Sequence, residues 1–333
     1  MRRWQDRART LGVVTTALAS LLAGLSAAAQ DFSAKPISII VGFGAGGATD
    51  TLTRLVAQRL GENLRTPVIV ENKPGGNQTI AIRLLKQAPV DGHTLYMGTG
   101  SSLAQYPALR KDLPYRPLED FSLISMLALQ PGLLCVKPGA PWRTVKELVD
   151  HARANPGKLN YGSQGVGSAS HLAMEYFMAR TGTSLTHIPL KSDSDIGLEL
   201  AAGRLDVSFM TTLAAIPLAQ SGRLDILVTT SRRPLPTLPD LPDLAAAGVP
   251  GLEGLDPFTF YGIVGARGIP VETVTRLNQA IVQIVDDPAF AAEIRNNLRI
   301  EPFATSPAGF RDLVRRETEK WSEIATKVKL DAN

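Results

Sequence analysis

The sequence predicts an α/β protein of two lobes with a ligand cleft between them. Three observations predict it. Short apolar runs alternate with helically spaced segments, the pattern of mostly parallel sheets flanked by helices. Two long extended apolar segments, 121–136 and 258–264, interrupt that alternation and read as chain crossings between lobes. Two glycine-rich loops, one in each half, stand between a strand and a helix.

Taken in order, the chain opens with Arg2, Arg3, Arg7 and Arg9, then an uncharged run over 10–29 that ends in Ala27-Ala28-Ala29. A basic start, a short apolar stretch and small residues at its end predict a signal peptide over 1–29, cleaved near Ala29. Its apolar centre, 11–25, falls short of the ~20 residues of a membrane span, so an anchor is the weaker alternative. The Arg2-Arg3 pair lacks the rest of a twin-arginine signal, and no cysteine near the leader's end offers a lipid site. The expected location is free in the periplasm. The whole chain has 35 basic and 31 acidic residues; the leader holds four Arg and one Asp, leaving 31 against 30, or +1. A near-neutral mature chain has no electrostatic footprint for nucleic acid. Cys135, the single cysteine, excludes an internal disulfide and reads as a buried strand residue.

The first lobe reads as βαβαβ: strand 37–43, helix 51–64 with Leu52, Leu55, Val56 and Leu60 at helical spacing, strand 68–70, helix 80–85 and strand 94–97. After the crossing at Pro131-Gly132 come helix 144–154, strand 159–161, helix 168–180, strand 185–189, helix 195–202 and strands 207–210 and 226–229. Pro234, Pro236, Pro239 and Pro242 mark a loop. Helices 271–285, 288–297 and 307–328 are expected to pack back on the first lobe. The expected division is 30–130 with 256–333 for lobe 1 and 131–255 for lobe 2.

The glycine loops carry the functional expectation. Gly42-Phe43-Gly44-Ala45-Gly46-Gly47-Ala48-Thr49-Asp50 follows a strand and opens a helix. Glycines permit close backbone approach, and a helix start offers unpaired N–H groups at the positive end of its dipole. Such a place binds an anion without Arg or Lys. Gly162-Ser163-Gln164-Gly165-Val166-Gly167-Ser168 repeats the arrangement in the second lobe. Asp50 reads as a capping acid that also orients the loop. The rival reading is a dinucleotide fingerprint, Gly42-x-Gly44-x-x-Gly47, with Glu71 as the ribose acid of a nicotinamide oxidoreductase. Export argues against it. No Gly-x-Ser-x-Gly elbow and no metal-ligand spacing stand in the chain, so no catalytic residue, metal or cofactor is expected. Of the four histidines, His93 and His151 read as surface residues, and His171 as a structural or pocket residue.

From about Lys35 to Lys329 the chain resembles the Bug-type receptors of tripartite tricarboxylate transporters. The resemblance rests on Pro36-Ile37-Ser38-Ile39-Ile40-Val41 before the loop with Asp50, on Val70-Glu71-Asn72-Lys73-Pro74-Gly75, and on Asp91-Gly92-His93-Thr94-Leu95. It continues in Leu159-Asn160-Tyr161-Gly162-Ser163, His187-Ile188-Pro189, Ala202-Gly203-Arg204-Leu205-Asp206-Val207 and Gly248-Val249-Pro250-Gly251. It implies a type II periplasmic-binding-protein fold and a monomeric receptor that passes a small carboxylate or amino acid to one large and one small membrane subunit. The implied contacts are Phe43, Gly44, Ala45, Gly47 and Ala48 from the first loop, and Asp50 from the helix that follows it is counted with them. Ser101, Ser163, Gly165, Gly167, Ser168 and His171 complete the implied site. Three departures from the family pattern, at Asn77-Gln78-Thr79, Leu190-Lys191-Ser192 with Asp193-Ser194-Asp195, and Met210-Thr211, suggest a less polar or aromatic carboxylate.

Overall fold

The computed structural model describes residues 35–110, 112–231, 234–235, 237–252 and 259–327. The expected leader, the lobe boundary near 256 and the end of the last helix lie outside these residues. In chain order, β1 (Ile37–Val41), α1 (Ala48–Leu64), β2 (Val68–Asn72), α2 (Thr79–Gln87) and β3 (Thr94–Thr99) form the predicted βαβαβ unit. Short helical turns over Ser101–Gln105, Tyr106–Leu109 and Pro117–Asp120 lead into β4 (Phe121–Gln130). After Pro131 come β5 (Gly132–Val136), α3 (Val145–Ala154), β6 (Asn160–Ser163), α4 (Ala169–Thr181) and β7 (Thr186–Pro189). They are followed by α5 (Asp193–Ala201), β8 (Val207–Thr211), α6 (Thr212–Gln220) and β9 (Asp225–Thr229). The chain ends with β10 (Thr259–Ala266), α7 (Val271–Asp286), α8 (Pro288–Leu298), β11 (Glu301–Pro302) and α9 (Pro307–Lys327).

Two sheets result, in the orders β11-β4-β10-β3-β1-β2 and β7-β6-β8-β5-β9. Leu52, Val56 and Leu60 of α1 are fully buried against β1 and β3 together with α7 and α8, while α2 and the start of α9 cover the opposite face. The helical spacing of those leucines and valines thus does what an apolar stripe does: it seals one face of a sheet. The sheets are mixed rather than mostly parallel. β1 pairs parallel with β2 and β3, but β10 is antiparallel to β3 and β4, and β5 is antiparallel to β8 and β9. The physical reason is the crossing itself. A strand that enters from the other lobe starts at the cleft, where the βα strands end, and so runs against them.

Two further elements differ from expectation. α6 carries Pro217 inside it and has no amphipathic stripe, so its periodicity is silent in sequence. α9 is not confined to the first lobe. Phe310 and Val314 join the first lobe's core, whereas Trp321, two to three turns on, is buried in the second lobe's cluster with Phe177 and Trp142. Cys135 is fully buried in β5, and burial pushes its thiol well up. Because Trp321 anchors α9 in the second lobe's core, Trp321→Ala is expected to cost about 3 kcal/mol in urea unfolding, the range for emptying a buried aromatic site.

Candidate functional site

The first glycine loop is held from below. Asn72, at the end of β2, donates from Nδ2 to the Phe43 carbonyl (3.1 Å) and to Asp50 Oδ1 (2.9 Å). Asp50 Oδ2 accepts from the Gly46 N–H (2.9 Å) and from Arg54 Nε (3.0 Å). Burial pushes the Asp50 carboxyl up, but the bonds from Arg54, Gly46 and Asn72 outweigh it, and its pKa is lowered. Asp50 therefore bonds the loop ahead of its helix. The N-cap, Gly47, makes no side-chain cap, which leaves the first N–H groups of α1 without an intrahelical partner. Gly42 admits a close neighbour: a Cβ there would stand 2.7 Å from Gln78 Cβ. Gln78, at φ 72°, is buried and ties the loop to the end of β3; its Nε2 donates to Ser101 Oγ (3.0 Å) and its Oε1 accepts from the Tyr96 hydroxyl (2.7 Å).

The second loop stands on a buried polar cluster. Ser163 Oγ lies 2.6 Å from His187 Nε2 and accepts from the Gly165 N–H (3.1 Å). His171 Nδ1 accepts from the Gly167 N–H (3.4 Å), so that nitrogen carries no proton. The His171 and His187 rings are 4.5 Å apart, and Tyr161 donates its hydroxyl proton to Glu175 Oε1 (2.6 Å) beside them. Burial, with His187 adding to it, pushes His171 down to about 4; burial also lowers His187 and raises Glu175. Ser168 caps α4 by accepting from the His171 N–H (3.3 Å). Ser192 caps α5 by accepting from the Asp195 N–H (3.1 Å). α6 starts at Thr211 with no side-chain cap.

These starts surround one cleft of about 570 Å³. Phe43, Gly47, Ala48 and Thr49 line it at α1, and Asn77, Gln78, Thr99 and Ser101 beside them. Gln164, Gly167, Ser168 and Ala169 line it at α4, Lys191 to Ser194 at α5, and Thr211, Leu213 and Ala214 at α6. Gln130 and Tyr261, on the crossing strands β4 and β10, form its floor, with the Tyr261 hydroxyl donating to Gln130 Oε1. Of the residues singled out in sequence, Phe43, Gly47, Ala48, Ser101, Gly167 and Ser168 line the cleft. Gly44 and Ala45 do not, because they form the exposed crest of the loop. Asp50, Ser163 and His171 are buried behind the loops, and Gly165 lies outside the lining; all four act through the loop backbone. Gln130, Lys191, Asp193 and Tyr261 were missed. Gln130 and Tyr261 are strand residues brought in by the crossings, and only the departure from the family pattern at 190–195 signalled Lys191 and Asp193.

His93 is buried rather than exposed, its N–H donating to Asp91 Oδ1 (2.9 Å). Glu71, the ribose acid of the rival reading, instead accepts from Ser38 Oγ (2.7 Å) and pairs with Lys73 (3.1 Å), outside the cleft lining.

The model of the tripartite tricarboxylate transporter family receptor matches residues 52–330. The chain belongs to this family. The receptor is 32% identical over 305 residues to the UPF0065 protein in the tcbD-tcbE intergenic region of Pseudomonas sp. strain P51, covering 91% of this chain and 89% of that one. A structure from R. palustris solved with adipate superposes at TM-score 0.78 with 31% identity, covering 89% of this chain and 98% of the other. MatC from Rhodopseudomonas palustris, solved with bound malate, superposes at 0.74 with 25% identity, covering 88% and 99%. The receptor therefore has the two-lobed fold of periplasmic solute-binding proteins. Among its described residues no helix is long and apolar enough to cross a membrane.

Two consequences of the site's support are testable. Asp50→Asn removes the charge beneath the first loop and is expected to cost about 2 kcal/mol in urea unfolding, the scale of hydrogen bonds to a charged group. The second concerns His171. Its folded pKa, about 4, lies below the ordinary 6.5, so between these values the unfolded chain binds more protons. Its contribution to stability is present above pH 6.5 and is lost as pH falls toward 4. Glu175, with a raised pKa, acts in the opposite sense, but it is retained in His171→Asn. Thermal midpoints from pH 7 to 4 should fall more steeply in the unmodified receptor than in that variant.

Proposed function

We propose that the receptor captures one small carboxylate-bearing solute in this cleft, closes its lobes over it and passes it on unchanged. The observation that carries this reading is the convergence of four helix starts, α1, α4, α5 and α6, on one cleft. Each helix N-terminus is equivalent to roughly +0.5 charge, and two of these, α1 and α6, have no side-chain cap. An anion of suitable size supplies the missing acceptor. Gln78, Ser101, Gln130 and Ser168 add oriented side-chain hydrogen bonds, and Phe43, Leu213 and Tyr261 cover the solute's carbon skeleton. The adipate and malate held by the two relatives support a carboxylate.

The same features argue for a receptor without chemistry. Ser163, within reach of His187, is buried behind the loop and does not face the solute. Lobe closure would exclude water around the carboxylate and strengthen each backbone bond to it. The partners of the closed form are one large and one small membrane subunit of the transporter, approached by a monomer that is free in the periplasm once the leader is cut near Ala29. Nucleic acid has no place in this scheme.

Native mass spectrometry of the mature protein, before and after denaturation, tests the reading. A small carboxylate released on unfolding supports it, and a released dinucleotide contradicts it. A sharper test is Ala48→Pro. Proline suits the first helical position, so the helix survives, but one N–H donor in the cleft is lost. Calorimetry should show about ten- to hundredfold weaker binding of the released carboxylate with an unchanged melting temperature, since a hydrogen bond to a charged group contributes about 1.5–3 kcal/mol.

A further inference from the structure

The cleft lining holds two charged side chains, Lys191 and Asp193, both from the turn that opens α5. They are opposite in sign, and among the described residues neither forms an ion pair with the other or with a third group. Asp193 is the first residue of α5, yet it does not cap that helix, because Ser192 already does. Its Oδ2 instead accepts from the Thr211 N–H (2.9 Å), where α6 begins. The start of its own helix and this bond both favour the ionised form.

Burial opposes that form: it raises the Asp193 pKa more than the bonds from Thr211 lower it, and Asp193 in turn adds to the upward push on Cys135 and Tyr261. A carboxylate in this position is relieved most by an arriving cation. Asp193, Tyr261 and Thr49 at the start of α1 line the same cleft. The Tyr261 hydroxyl bonds Gln130 and the side chain of Thr49, and Asp193 is near enough for its charge to act on that hydroxyl. One small solute can therefore touch the α1 start and Asp193 on either side of Tyr261.

We infer that the cleft selects a solute with ends of opposite charge, its carboxylate at the start of α1 and a cationic nitrogen against Asp193. The inference rests on the receptor reading and narrows it. A second carboxylate in the same place would meet a like charge, which turns Asp193 into a device against dicarboxylates of the kind the two relatives hold.

The experiment is calorimetry on the mature protein with matched pairs: succinate and 4-aminobutanoate, adipate and 6-aminohexanoate, terephthalate and 4-(aminomethyl)benzoate. In each pair that binds, the amino compound should bind more tightly. Asp193→Asn keeps an acceptor for the Thr211 N–H and removes only the charge. It should weaken the amino compound by about tenfold or more, as loss of one partner of a desolvated charge pair does, and strengthen its dicarboxylate match. Tighter binding of the dicarboxylates by the unmodified protein, or an unchanged preference in Asp193→Asn, overturns the inference and leaves the receptor reading intact. Binding by neither half of the panel overturns the inference, and the receptor reading is then decided by the solute released in native mass spectrometry.

Discussion

Four helices begin at the same cleft, and the rest of the molecule is arranged so that they can. In a βα unit the helix starts where its strand ends, so parallel strands put all their helix N-termini at one edge of the sheet. Here β1 delivers α1, while β6, β7 and β8 deliver α4, α5 and α6. The two sheets face each other across those edges. What a single helix start provides weakly, several around about 570 Å³ provide together, without an arginine among the described residues of the lining.

Concentrating so many unpaired donors in one place requires rigid support, because free loops would find partners of their own. The receptor supplies it differently in each lobe. In the first, a charged knot of Asp50, Arg54 and Asn72 ties the loop crest to β2. In the second, His171 does the work: its Nδ1 accepts from the Gly167 N–H, and burial disfavours a charge on the ring. The lobes also touch at the start of α6, where Thr212 Oγ1 donates to the Arg299 carbonyl (2.6 Å), and α9 spans both cores. The crossings and α9 are thus the segments that join the two lobes.

Much of this was legible in the sequence. Leu52, Val56 and Leu60 announced α1, the glycine loops announced the helix starts, and Pro131-Gly132 marked the passage between sheets. Local pattern reports local structure, and these are local facts. Strand direction was not local: β5 and β10 run antiparallel because of where the chain comes from, which no window of ten residues contains. Gln130 and Tyr261 escaped for the same reason, since they reach the cleft only through pairing of strands more than a hundred residues apart. α6 escaped because Pro217 masks it. The loop-orienting role of Asp50 is legible in its place in the first helical turn, whereas the bonds of Ser163 and His171 to the second loop's backbone appear only in the fold.

The most direct test of the account is a crystal structure of the receptor with its carboxylate solute. The account predicts a carboxylate within hydrogen-bonding distance of the Ala48 and Thr49 N–H groups, with the second loop's Gly167-Ser168 closed against it. A solute seated elsewhere, or one held only by side chains while the N–H groups at the start of α1 face water, would contradict it.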